Sequence, residues 1–143
     1  MRNRRRSREM ALQALFYMDM SQEKSIDTLE LFCKTFKPAP KSADFFMVLV
    51  KGVFANQKTI DALIESFSSN WKVSRMPCVD RNILRIATYE LLFLEDIPAK
   101  VAINEAIDIG KKFGTEESGA FINGILDTIH LAQKNEEIPI DSS

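Results

Sequence analysis

Residues 80–95 read Asp80-Arg-Asn-Ile-Leu-Arg-Ile-Ala-Thr-Tyr-Glu-Leu-Leu-Phe-Leu-Glu95. No proline or glycine interrupts the stretch, and Asp80 is placed to cap a helix running to Glu95. Ile83, Leu84, Ile86, Ala87, Leu91, Leu92, Phe93 and Leu94 surround nearly its whole circumference. A helix apolar on most sides is buried among other helices, so this segment predicts the centre of a bundle. Arg81 and Arg85 stand out, one turn apart near its start. A buried unpaired cation is costly, so each must face a carboxylate or an opening to solvent.

Outward from this element the same period recurs. Arg4 to Met20 carries Ala11, Leu12, Leu15, Phe16 and Met18 on one side. Ser25 caps a second expected helix to about Phe36, with Leu29, Phe32 and Phe36 as its stripe. The stretch Lys37-Pro-Ala-Pro-Lys41 breaks the pattern. Ser42 then caps a third helix built on Phe45, Phe46, Leu49, Val50 and Val53. A fourth spans about Thr59 to Phe67, with Ile60, Leu63, Ile64 and Phe67. Trp71 to Val79 is irregular, and Trp71 is expected to plug the core edge. After Asp96-Ile-Pro98 comes a helix over Ala99 to Phe113, with stripe Ile103, Ala106, Ile107, Gly110 and Phe113 and with Gly114 as C-cap. Thr115 caps the last helix, whose seam is Ile122, Ile125, Leu126 and Ile129. The expected fold is an all-α bundle of about seven helices over residues 1–133, with 134–143 a flexible C-terminal tail.

Charge is distributed unevenly. Five of the first eight residues are arginine: Arg2, Arg4, Arg5, Arg6 and Arg8. Removing them from the 19 basic residues leaves 14 against 20 acidic ones, a net of −6. Positive potential concentrated at one end of a mildly acidic body suits a short stretch of polyanion. Guanidinium adds a planar fork of donors that matches phosphate oxygens. The same cations oppose the dipole of the helix they begin, so this end is expected to fray until an anion arrives.

The inventory weighs against catalysis. His130 is the only histidine, which leaves neither a Ser/His/Asp triad nor a multi-histidine metal site easy to build. The five glycines form no phosphate-cradling loop. No catalytic residue, cofactor or metal is expected. Two distant cysteines, no apolar run near the ~20 residues of a membrane span and no secretory leader point to the cytoplasm. Phe121 lies one step off the last helix's seam, close in sequence to Lys111 and Lys112. A flanking aromatic near cations can stack an unpaired base, and it can equally be core periphery.

Asp80-Arg-Asn-Ile-Leu-Arg-Ile-Ala-Thr-Tyr-Glu-Leu-Leu92, Ile97-Pro-Ala-Lys-Val-Ala-Ile-Asn-Glu-Ala-Ile107, Lys112-Phe-Gly114 and Phe121-Ile-Asn-Gly-Ile-Leu-Asp127 together closely resemble the bacterial transcription antitermination factor family NusB. The start, Arg4-Arg-Arg-Ser-Arg-Glu-Met-Ala-Leu-Gln-Ala-Leu15, is similar to that family's as well. The resemblance covers residues 4–130, and over 21–75 it holds mainly in pattern. It implies two helical subdomains, about 4–67 and 80–133, and a role without catalysis. It further implies binding of boxA-type single-stranded RNA together with NusE, a small-subunit ribosomal protein. The complex would help RNA polymerase read through terminators, notably in ribosomal RNA operons. By motif position the RNA surface would be Arg4, Arg5, Arg6 and Arg8 with Arg85, Lys100, Glu117 and Phe121. The NusE surface would be Met76, Asp80 and Arg81. Asn104, Glu105, Asn123 and Asp127 would serve interhelical hydrogen bonds. Gly119-Ala120 stands where many relatives carry a histidine or basic residue, and Trp71 where some carry a basic one. Alanine at Arg85 or Phe121 is expected to weaken boxA binding. Apolar helix faces could also pair two copies into a homodimer covering the arginines. The rival readings are a purely protein-binding scaffold and an RNA methylase subunit, and the absence of a methylase domain favours the free-standing factor.

Overall fold

A computed structural model describes residues 2–21, 25–69, 71–136 and 138. Its elements are α1 (Arg2–Met20), α2 (Ile26–Phe36), α3 (Pro40–Ser66), a 3-10 turn (Val73–Arg75), α4 (Cys78–Phe93), α5 (Ala99–Phe113) and α6 (Ser118–Lys134). No strand occurs among the described residues. None of the described helices is long and apolar enough to cross a membrane.

The apolar circumference of residues 83–92 places α4 in the middle, where it packs against α1, α3, α5 and α6. A single core joins all six helices, with Phe32, Phe46, Leu49, Ile64, Leu84, Ile122 and Leu126 sealed from solvent. Each such side chain contributes about 1.5–3 kcal/mol by leaving water. At Gly52 of α3 a Cβ would run into the Tyr89 ring of α4, so the two helices meet there without room for a side chain.

Helix boundaries differ from the sequence reading in instructive ways. The expected third and fourth helices are one element, bent at Asn56 (φ −117°, ψ 16°). There the Asn56 amide donates to the Gly52 carbonyl at 2.8 Å, supplying a hydrogen bond at the bend. That bend is why six α-helices stand among the described residues where about seven were expected. Ser25 caps α2 as expected, accepting from the Thr28 N–H. Ser42 does not cap α3, which begins at Pro40, a residue suited to the first helical position. The carbonyl of Ser42 instead accepts from the Ser7 hydroxyl at 2.8 Å. Asp80 does not cap α4 either, because that helix starts at Cys78 behind Pro77. Thr115 lies ahead of α6, where its hydroxyl accepts from the Glu117 N–H at 3.3 Å.

Several apolar side chains face outward, contrary to the stripes assigned them. Phe16, Phe36 and Phe113 are exposed, and Ile109 rather than Ile107 is the fully buried isoleucine of that turn of α5. Phe16, Phe36 and Phe113 line an open apolar groove of about 530 Å³ with Met20, Tyr17 and Val79. Trp71 does not plug the core: it is 51% exposed. Past the helical end at Lys134, Ile138 is buried and belongs to the core. Residues 137 and 139–143 of the expected tail lie outside the described residues.

Candidate nucleic-acid interface

α1 carries its arginines at positions 4, 5, 6 and 8, so the helical turn distributes them around the axis rather than along one face. Arg4 and Arg6 are exposed, Arg5 is half-buried and Arg8 is buried. Together with Glu9, Pro98, Val101, Asn104, Glu105 and Lys112 they line a groove of about 810 Å³ between α1 and α5.

Carboxylates hold this arginine helix in place. Arg8, 3% exposed, reaches Glu90 of α4 through its Nε, at 3.0 and 3.1 Å, and its Nη2, at 2.6 Å. Its Nη1 also donates to Glu105 of α5 at 3.1 Å. Arg5 donates to both oxygens of Glu105 and to Asp108 at 3.0 Å. The hydrogen bond from Arg5, ahead of the cost of burial and the attraction of both arginines, holds the Glu105 carboxyl below its usual range. That same bond raises the Arg5 pKa further above its ordinary value. Glu90 moves the other way: burial pushes its carboxyl up, and the Arg8 guanidinium only partly offsets this. Arg4 and Arg8 also lie over the Phe45 ring, 4.7 and 5.3 Å from its centroid.

Arg85 is not a groove residue. It is 3% exposed, and its Nε and Nη2 fork onto Asp61 of α3 at 2.8 and 2.9 Å. Its Nη1 meets Asp19 of α1 at 3.0 Å and the Asn82 side-chain carbonyl at 2.9 Å. Burial opposes its charge, but the hydrogen bonds and charges of Asp61 and Asp19 prevail and its pKa is raised. Of the two alternatives posed by residue type, Arg85 faces carboxylates, and so does Arg81, with its Nε 3.7 Å from Asp19. In this arrangement neither Arg8 nor Arg85 has a guanidinium open to a phosphate. They tie α1 to α3, α4 and α5.

The remaining expected RNA residues stand outside the lining of this groove. Lys100 and Glu117 are exposed, and Phe121 is half-buried. Lys112 reaches Glu9 of α1 at 3.0 Å, while the stem of Lys111 runs beside Gly119, two residues before Phe121. The lysines that end α5 thereby link the arginine groove to the start of α6. Phe121 meets Trp71 edge to face, with ring centroids 5.7 Å apart and planes at 65°. Trp71, expected at the core edge, instead pairs with this ring, and a tryptophan among polar loop residues is the only sequence signal of that pair.

Of the expected partner-binding residues, Met76 and Asp80 are buried, and Asp80 accepts from the Ser118 hydroxyl at 2.7 Å. This bond joins the first turns of α4 and α6, which gives Asp80 a packing role where a partner contact was expected. Arg81 is partly exposed. Glu105 is the interhelical residue expected of it, whereas Asn104, Asn123 and Asp127 are exposed.

Comparison with known proteins matches this chain to the NusB family model over residues 5–131. A transcription antitermination protein NusB of Desulfatibacillum aliphaticivorans is 58% identical over 137 residues, covering 96% of each chain. Among solved structures, T. maritima NusB superposes with a TM-score of 0.79 at 39% identity, covering 94% of this chain and 97% of that one. A NusB in a crystal structure with NusE and double-stranded RNA gives a TM-score of 0.80 at 28% identity, covering 92% of this chain and 98% of that one. Arrangement and sequence agree: the chain belongs to the NusB family of transcription antitermination factors.

Proposed function

We propose that this protein is a non-catalytic, cytoplasmic RNA-binding factor that joins boxA-type RNA and NusE in an antitermination complex with RNA polymerase, promoting read-through notably in ribosomal RNA operons. The observation that carries this reading is the groove between α1 and α5, with exposed Arg4 and Arg6 on one wall and Lys112 on the other. Arg4, Arg6, Lys100 and Lys112 neutralise phosphates, and Arg5 joins them if an RNA phosphate displaces Glu105. Phe121 stacks a base, and Glu117 one turn away offers an acceptor to a base amino group. Arg8 and Arg85 act from beneath, fixing the helices that present these groups.

NusE is supported by a second surface. Val79, next to the expected Asp80, lines the apolar groove with Phe16, Met20, Phe36 and Phe113. Exposed aromatics around an open groove suit a protein partner, because that apolar area leaves water only on docking. We assign this groove to NusE, in place of the buried Met76 and Asp80.

Fluorescence anisotropy of labelled boxA RNA against a scrambled RNA, with and without NusE, tests the proposal. Tighter binding to boxA that strengthens with NusE is expected. RNA affinity absent even with NusE present would reduce the protein to a protein-binding scaffold. Phe16→Asp should abolish the strengthening by NusE and leave RNA binding by the isolated chain intact.

A further inference from the structure

Trp71 is the protein's only tryptophan, and about half of its surface is in solvent. Its backbone is nonetheless pinned. The Trp71 N–H donates to the Ser68 carbonyl at 3.2 Å, and the buried Ser68 hydroxyl donates back to the Trp71 carbonyl at 3.1 Å. Two residues later the Val73 N–H donates to the Glu65 carboxylate at 2.9 Å. An indole whose backbone is pinned and whose ring already meets Phe121 has less conformational freedom to lose on binding a ligand. Packing does not account for that exposure, since an indole gains most by full burial.

Its neighbours indicate the ligand. Phe121 lies edge to face with it, and in such a pair the ring engaged by its edge keeps its π-faces out of the contact, while Trp71 is 51% exposed. Lys72 and Arg75, both exposed, follow Trp71 in the chain. One turn past Phe121 on α6, a Cβ at Gly124 would meet nothing within 4 Å, so no side chain screens that flank. Aromatic faces interleaved with cations are the composition that holds single-stranded nucleic acid, because every base has a π-face and every linkage a charge.

We infer that Trp71 and Phe121 form one two-ring platform for an unpaired RNA base, with Trp71 as a second stacking surface and Lys72 and Arg75 as contacts for the flanking phosphates. This extends the RNA-binding reading above and rests on it. The platform also lengthens the RNA path beyond the arginine groove, past Lys112 and Lys111 to the far end of α3.

The tryptophan itself reports the outcome. Titrating the full chain with boxA RNA while following both Trp71 emission and the anisotropy of labelled RNA should show quenching that saturates with binding. Polyphosphate, which has charge but no bases, should leave emission nearly unchanged. Trp71→Ala should raise the RNA Kd about 5- to 150-fold, and Trp71→Phe should recover most of it. RNA binding with unchanged emission and wild-type affinity in Trp71→Ala overturns the platform and leaves the wider RNA reading intact. Loss of NusE binding in that variant, with RNA affinity unchanged, overturns it in favour of a protein contact. A chain that binds no RNA with or without NusE overturns both.

Discussion

Truncating Arg8 leaves Glu90, 1% exposed, without the guanidinium that three of its contacts come from. An abandoned buried charge is far costlier than a lost surface pair, so Arg8→Ala should destabilise by about 3–5 kcal/mol in urea unfolding at pH 7. Arg85→Ala should cost a similar amount, because Asp19 and Asp61 lose a shared cation. Arg6, exposed and 3.7 Å from Glu9, belongs to the other regime, and its removal should change stability by no more than about 1 kcal/mol. RNA binding should sort the same variants in reverse. Arg6→Ala makes the log–log salt slope shallower by about 0.7, whereas Arg85→Ala, tested where it remains folded, leaves the slope unchanged. A slope altered by Arg85→Ala and untouched by Arg6→Ala would exchange their assignments. Residue type marked all these arginines as anion seekers; whether the anion is a carboxylate or a phosphate depended on Glu90 and Asp61, which lie 82 and 24 residues from their partners.

Between elements, two glycines make opposite predictions. Gly52→Ala forces a methyl against the Tyr89 ring where α3 meets α4, and overpacking of this kind costs about 1–3 kcal/mol. Gly124→Ala adds a methyl in open space on the exposed side of α6 and should stabilise by about 0.5–1 kcal/mol through helix propensity. Thermal melts of the two variants should shift in opposite directions. The clamp between α1 and α5 is pH-sensitive through Glu105. Its folded pKa lies below the ordinary 4.5, so the clamp's contribution is fully present above that value and is lost as pH falls through the depressed one. Glu90 has the opposite sign: its raised folded pKa favours the protonated form, so its contribution declines as pH rises above 4.5. Glu105→Gln should remove part of the acid limb of the stability profile, and an unaltered limb would assign that limb to other carboxylates. Every helix was legible from periodicity, because one buried stripe repeats each turn. The apolar pattern also divides on either side of Asn56, but it does not show that the chain continues across the bend as one helix, because that rests on backbone hydrogen bonding there.

For the whole molecule, four exposed cations (Arg4, Arg6, Lys100 and Lys112) should give RNA binding a salt slope of about −3 for a single strand, and of about −4 with Lys72 and Arg75 of the Trp71 platform also on phosphates. A slope near zero would show that phosphates contribute little to the affinity. The groove lined by Phe16 and Phe36 and the groove lined by the arginines involve separate side chains, so partner and RNA should be able to bind at once. The chain's own order of residues determined the helical class, the central position of residues 80–95, the basic end and the family. The first three are properties of local period and composition, which neighbouring residues express without help, and the family is carried by motifs such as residues 80–92 and 97–107. The tertiary structure alone decided which arginines stay exposed, which aromatics face water and that Trp71 meets Phe121. Such outcomes turn on pairings between distant residues: a guanidinium goes to whichever anion packing brings within hydrogen-bond reach, and only the assembled bundle sets those distances.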